Sequence, residues 1–262
     1  MSIAYQPFAK SIALRMNQLA DAVDADALET AYASGTLSDM MEGVDVPYSA
    51  LKHDILTAEL TVATMIANSS NVQLRNAIKG EAEIDYGDDI PLQDSSKRPF
   101  IGKFDGIFDA ENGLPLTLTD KHTVIRQRKN PGAFYRLSHD IYCIEGTKIF
   151  FTTSNRELDD VCCCVEVCTC GAADVSAVFR GCAFSTTRAE AAFESGVSVL
   201  PDQVETLWRN IVLANLAQES FFMEQAGYYN NLAAQNARDL GLVLDPATMP
   251  DSVETNTENR NG

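Results

Sequence analysis

The chain has 262 residues, 45% of them hydrophobic, with 37 acidic against 20 basic side chains and a formal net charge of −17 at pH 7. So acidic a chain is repelled by phosphate backbones and anionic lipid surfaces, which disfavours tight nucleic-acid or membrane binding. No run of about 18 uncharged apolar residues occurs, and the N-terminal MSIAYQPFAK lacks the basic-then-apolar order of a secretory signal, so the expected setting is a reducing cytosol with no membrane span.

Ile12, Met16, Leu19 and Val23 recur every three or four positions with no β-branched run to compete, which predicts a first helix over roughly residues 7–22. A short helix near residues 26–33 is followed by a break at Gly35. Pro47 then stands at the first turn of the strongest helix of this half, which runs to about Ala67 with Leu51, Ile55, Ala58, Val62 and Met65 on one face. Asn68-Ser69-Ser70-Asn71 ends it, because these short polar side chains bond their own backbone more readily than they extend a helix. A helical module over residues 1–80 results.

From Gly80 the period changes to two and turn residues become dense, so residues 81–185 read as a β-rich insert with long loops. Tyr86-Gly87-Asp88-Asp89-Ile90-Pro91-Leu92 reads as a loop. Asn112-Gly113 and Glu145-Gly146 each offer the positive-φ pair of a tight hairpin, the first between residues 103–108 and 114–118, the second between Ile141 and Phe151. Between them, Thr119-Asp120 offers a cap for a short helix and Asn130-Pro131-Gly132 forces a turn. Two hairpins and the cysteine-rich run VCCCVEVCTC make a small antiparallel sheet.

Helical periodicity returns after residue 185. Leu200-Pro201-Asp202 opens a helix carrying Val204, Leu207, Trp208, Ile211 and Ala214, and a second helix carries Phe222, Ala226, Tyr229, Ala233 and Leu240 before Gly241 stops it. Residues 186–245 thus complete the helical module. Residues 246–262, with two prolines and almost no apolar side chain, are expected to be a disordered tail. The fold class is α+β: helical N- and C-terminal modules packed around a small antiparallel β insert.

Chemistry-bearing residues are sparse in pattern. Five of seven cysteines lie between Cys162 and Cys170, and in a strand Cys162, Cys164, Cys168 and Cys170 share a face. Successive residues of one face lie about 7 Å apart, however, whereas the sulfurs around a zinc ion, each about 2.3 Å from the metal, crowd within roughly 4 Å of each other. No CxxC knuckle and no nearby histidine occurs, so the run reads as a thiol-rich buried strand, with Cys143 or Cys182 the routes by which a partner loop would complete a metal site. Ser138-His139-Asp140 holds the residue types of a hydrolase triad, but consecutive side chains point apart and cannot relay a proton. His53, His122 and His139 are scattered, and the calcium-like set Asp105, Asp109 and Glu111 misses EF-hand spacing. No enzymatic activity, cofactor or metal is expected.

Charge is clustered: Glu81, Glu83, Asp85, Asp88, Asp89 and Asp94 precede Lys121, Arg126, Arg128, Lys129 and Arg136. These runs read either as solvated faces or as patches that pair neighbouring subunits. On the second C-terminal helix Phe222, Tyr228 and Tyr229 supply large apolar area for an interface. Phe222 and Tyr229 share the apolar stripe, which fits a role in the protomer's own core equally well, whereas Tyr228 lies off it.

The order of these parts, and in particular IANSSNVQLRNAI, YGDDIPL, FDGIFDAENGLPL, YCIEGTKIFFTTSN, LPDQVETLWRNIVLANL and MEQAGYYNNLAAQNARDLG, resembles the head-to-tail adaptor (head-completion, connector) proteins of short-tailed bacteriophages over most of the chain. No counterpart is found for residues 119–138 or the cysteine run. The resemblance implies a non-enzymatic virion protein of the neck, assembled in the host cytoplasm as a homo-oligomeric ring, typically of twelve copies. Such a ring sits between the portal protein and the tail nozzle or tube protein and passes double-stranded DNA without reading its sequence. Two other readings stand beside it: another virion part such as a tube or nozzle subunit, which would be richer in strand, and an intracellular thiol- or metal-binding domain supported by the cysteine run alone.

Overall fold

The computed structural model describes residues 2–19, 48–129, 140–153, 176–185 and 196–242. The expected helix near residues 26–33, the cysteine run, Ser138, His139 and the C-terminal tail all lie outside the described residues. The fold is α+β, and the chain divides into two compact units, Met1–Leu74 with Ala189–Gly262, and Arg75–Arg188.

In the first unit, strand β1 (Ser2–Ala4) runs straight into helix α1 (Tyr5–Leu19) and pairs antiparallel with β8 (Val197–Pro201). Helix α2 (Tyr48–Asn68) buries Leu51, Ile55, Ala58, Val62 and Met65, the stripe that its periodicity marks. It ends at the Asn-Ser-Ser-Asn break, where the Ser69 hydroxyl donates to the Ile66 carbonyl and accepts the Asn71 N–H. Asn71 then caps α3 (Val72–Ala77) by accepting the Leu74 N–H.

A single 3₁₀ turn (Asp202–Val204) leads into α5 (Glu205–Glu219), which a short turn joins to α6 (Met223–Asp239) as a helical hairpin. The Asn210 amide donates to Asn236 at 2.8 Å between them. Trp208, fully buried, stacks on Phe8 at 4.1 Å between ring centres, meets Tyr5 edge-on and donates its indole N–H to the Ile55 carbonyl. One aromatic side chain thereby ties α1, α2 and α5.

Among its described residues the second unit holds two three-stranded sheets. One has the order β2 (Lys79–Ile84), β7 (Ala177–Ala183), β3 (Phe100–Asp109), all antiparallel. The other has β4 (Thr117–Leu118) parallel to β5 (Ile141–Glu145), which pairs antiparallel with β6 (Lys148–Thr152). Ile84, Ile107, Leu116, Tyr142, Ile149, Phe151, Ala177 and Phe179 from the two sheets form one buried cluster. Helix α4 (Lys121–Lys129) starts where Asp120 accepts the Thr123 N–H at 2.9 Å, and it packs Val124 against Ile141 and Cys143.

The two expected hairpins differ from expectation in turn chemistry. At Asn112-Gly113 only Gly113 takes a positive φ, at +69°, while Asp109 accepts the N–H groups of both Glu111 and Asn112. Beyond it the two arms meet in a single bridge, Phe108 with Pro115, flanked by the Asp109 N–H on the Leu114 carbonyl and the Leu116 N–H on the Ile107 carbonyl, while β3 also pairs with β7. At the second hairpin, too, only Gly146 is positive, at +62°. The loop is Gly146-Thr147 with Glu145 paired to Lys148, the glycine-first arrangement of a type II′ turn. The loop after β2 is fastened along β6: Gly87 and Ile90 donate N–H groups to the Ile149 and Thr147 carbonyls, and Asp88 accepts from the Ile149 N–H.

Candidate interaction surface

Among the described residues of the first unit, the α5–α6 hairpin carries the largest apolar exposure. Phe221 is 87% exposed, Met223 64% and Tyr228 57%. The anchors expected on this helix separate into three environments. Tyr229 is buried, its hydroxyl accepting from the Arg15 Nε at 2.9 Å, so it belongs to the protomer's own core. Phe222 stands half-buried at the N-cap of α6, and Tyr228 faces solvent with its ring edge-on to Tyr229. Sequence reading missed Phe221 and Met223, which lie at the break between helices where no periodic stripe points to them.

The first unit also holds buried acids. Glu59 accepts from Tyr5 at 2.7 Å and from the Ser198 hydroxyl, both on Oε1, while its Oε2 has no hydrogen-bond partner. Burial pushes its carboxyl upward against the opposing pull of those two donors, and burial together with the Glu59 charge pushes the Tyr5 phenol upward. Asp54, also buried, has a carboxyl raised to about 6, chiefly by burial and secondarily by the negative Glu219, with His53 pulling the other way. Glu59, bridging α2 to β8 and the start of α1, is a structural clamp.

The second unit distributes its charge in pairs rather than in one field. Glu81 bridges Lys79 and Arg180, and the Lys79 ammonium leads the causes that hold its carboxyl low. Asp94, buried, accepts from the Ser96 and Arg98 backbone and from the Arg98 side chain at 2.7 Å. Lys121 pairs with Glu145 and Arg75 with Asp105. The acidic and basic clusters are therefore partly consumed inside the protomer. Arg128 lies 3.8 Å over the Tyr86 ring and Arg180 4.1 Å over that of Phe108.

An aromatic cleft of about 300 Å³ opens in this unit, lined by Ile90, Pro91, Phe100, Phe104, Ile144 and Phe179 with Lys103 at its edge. Phe104 stacks on Phe179 at 5.3 Å and Phe100 meets it edge-on. Of the residues weighed for chemistry, His53 and His122 are exposed, and Asp109 is spent on its turn. Cys143 and Cys182 are buried free thiols raised mainly by burial. Among the described residues no group of three or more His, Cys, Asp or Glu could hold a metal ion, and no helix is long and apolar enough to cross a membrane. No family model matches this chain, and no curated protein matches its sequence.

Proposed function

We propose that this chain is a structural virion protein, a head-to-tail adaptor whose copies form a ring between the portal and the tail nozzle and so line part of the DNA channel. The observation that carries the reading is the solvent-facing apolar hairpin of Phe221, Met223 and Tyr228, on a chain of net charge −17. Large exposed aromatic and thioether side chains rimmed by acids suit a protein–protein contact better than solvent.

The net charge of −17 supports the same reading from the side of the cargo. A carboxylate-rich lining repels the DNA backbone and lets it slide, whereas a basic lining would retain it through counterion release. The quoted segments that resemble phage adaptors fall in both units, so the likeness does not rest on one local motif. In this role the protein has no substrate; its partners are its own copies, the portal and the nozzle.

Electron microscopy of the purified full chain, alone and mixed with portal rings, tests the proposal. Closed rings, formed alone or on the portal, are the expected result. A chain that stays monomeric at micromolar concentration and ignores portal rings would overturn it, and about one zinc per chain by elemental analysis would favour the thiol-site alternative.

A further inference from the structure

Helices α5 and α6 end in the same hydrogen-bond motif but with different residues at its critical position. At the end of α6, Gly241 donates to the Arg238 carbonyl and Leu242 to that of Ala237, with Gly241 at φ +67°. At the end of α5, Phe221 donates to the Gln218 carbonyl and Phe222 to that of Ala217, with Phe221 at φ +61°. Both are Schellman caps, and the left-handed residue in such a cap is ordinarily glycine because a Cβ is strained there.

Phenylalanine at this position bears that strain and leaves its ring 87% exposed, so the protomer gains nothing visible from it. An outlier of backbone conformation that carries an exposed aromatic ring is a place to look for a contact. What would receive the ring must be aromatic-lined, open, and of opposite charge at its rim, because Phe221 is flanked by the exposed carboxylates of Glu219 and Glu224.

The cleft of the second unit meets each requirement. Its walls are Ile90, Pro91, Phe100, Phe104, Ile144 and Phe179, and its volume of about 300 Å³ is ample for a phenyl ring, given that an apolar cavity of roughly 150 Å³ takes up benzene. Phe104 is 40% exposed at its mouth, and the exposed Lys103 stands at the edge.

We propose that Phe221 of one copy seats in this aromatic cleft of a second copy, with Glu219 and Glu224 facing Lys103 across the contact. Knob and socket are different surfaces, so when each copy offers its knob to one neighbour and its socket to another the contact is heterologous, the arrangement that generates rings. The inference rests on the ring reading above and names the joint between neighbouring copies.

The test places the photo-reactive residue benzoylphenylalanine at position 221 in full-length chain, with isotopically light and heavy chains mixed before irradiation. Cross-linked peptides that join position 221 to the stretches around Phe100, Phe104 or Phe179 and carry mixed isotope labels are the expected result. Phe221→Gly, which relieves the backbone strain, should melt at the same or a higher temperature while associating at least tenfold more weakly by sedimentation. Lys103→Glu should weaken association likewise, and Glu224→Lys in the same chain should restore it.

Cross-links confined to single chains, or mapping to another surface, would overturn the joint. If rings still form in that case, the adaptor reading survives the loss of this contact. A chain that shows no self-association, alone or on portal rings, removes both.

Discussion

The hydroxyl of Tyr5, the first residue of α1, donates a 2.7 Å hydrogen bond to the carboxyl of Glu59, 54 positions later in the middle of α2. The same oxygen accepts from Ser198 of β8, whose hydroxyl in turn accepts the Leu200 N–H, so one buried acid fastens three elements that are distant in sequence.

Glu59→Leu should therefore cost about 2–4 kcal/mol, because it removes the buried acceptor that the Tyr5 and Ser198 hydroxyls share. Glu59→Gln keeps an acceptor oxygen for both donors and should cost less than about 1 kcal/mol at pH 7, since burial already favours the uncharged form of this carboxyl. Denaturant midpoints of the two variants decide the matter, and equal losses would refute the clamp.

Asp54 gives the first unit a pH dependence of definite sign. Its carboxyl holds a proton up to about pH 6 when folded, against about 4 when unfolded, so its stabilising contribution is complete below about pH 4 and is lost as pH rises through about 6. Asp54→Asn should raise stability at pH 7 by on the order of 1–2 kcal/mol, allowing for solvent screening, and should change little at pH 4. Thermal melts across that range, which the single buried tryptophan reports by its fluorescence, would expose a wrong sign directly.

Gly80 of β2 lies opposite Gly181 of β7, and a Cβ at this position would collide with the Ala183 Cβ while approaching the Asp94 side chain at 3.1 Å. The backbone here is ordinary strand, so the demand for glycine is one of space rather than of φ. Gly80→Ala should destabilise the second unit by about 1–3 kcal/mol, visible as earlier amide exchange in β2 and β7. Unchanged exchange would mean that the sheet shifts without penalty.

Where the chain repeats with the period of its element, it is legible from sequence alone. The α2 stripe from Leu51 to Met65, the Asn-Ser-Ser-Asn break, the Asp120 cap and the Gly241 stop all appear as read, because each is a local device. Strand β7 was hidden: AVFRGCA sits between two neighbours, so its burial alternates only as far as Arg180 and is continuous after it, and an arginine and a glycine interrupt any apolar run. The buried acids were hidden for a related reason, since a polar letter inside an apolar face reads as an exposed position until its partners, here far away in sequence, are known. Phe221 escaped because hydrophobic patterning ranks faces of elements and is silent about turns.

Tyr228 and Tyr229 are adjacent, with ring centres 5.4 Å apart, yet the structure gives them opposite duties. Tyr229 is buried with its hydroxyl on Arg15, so Tyr229→Phe should cost about 0.5–1.5 kcal/mol and Tyr229→Ala about 3 kcal/mol or more, through loss of the ring from the core. Tyr228 is 57% exposed and contributes to its protomer mainly an edge contact with its neighbour, so Tyr228→Ala should change the melting free energy by less than about 1 kcal/mol. If the hairpin surface is an interface between copies or onto the portal, the ranking reverses in assembly: Tyr228→Ala forms fewer rings or binds portal more weakly at unchanged helix content, while Tyr229→Phe assembles in proportion to its folded fraction. Circular dichroism and sedimentation on the same samples separate the two effects. A Tyr228→Ala chain that assembles as well as the parent would move the interface off this face of α6.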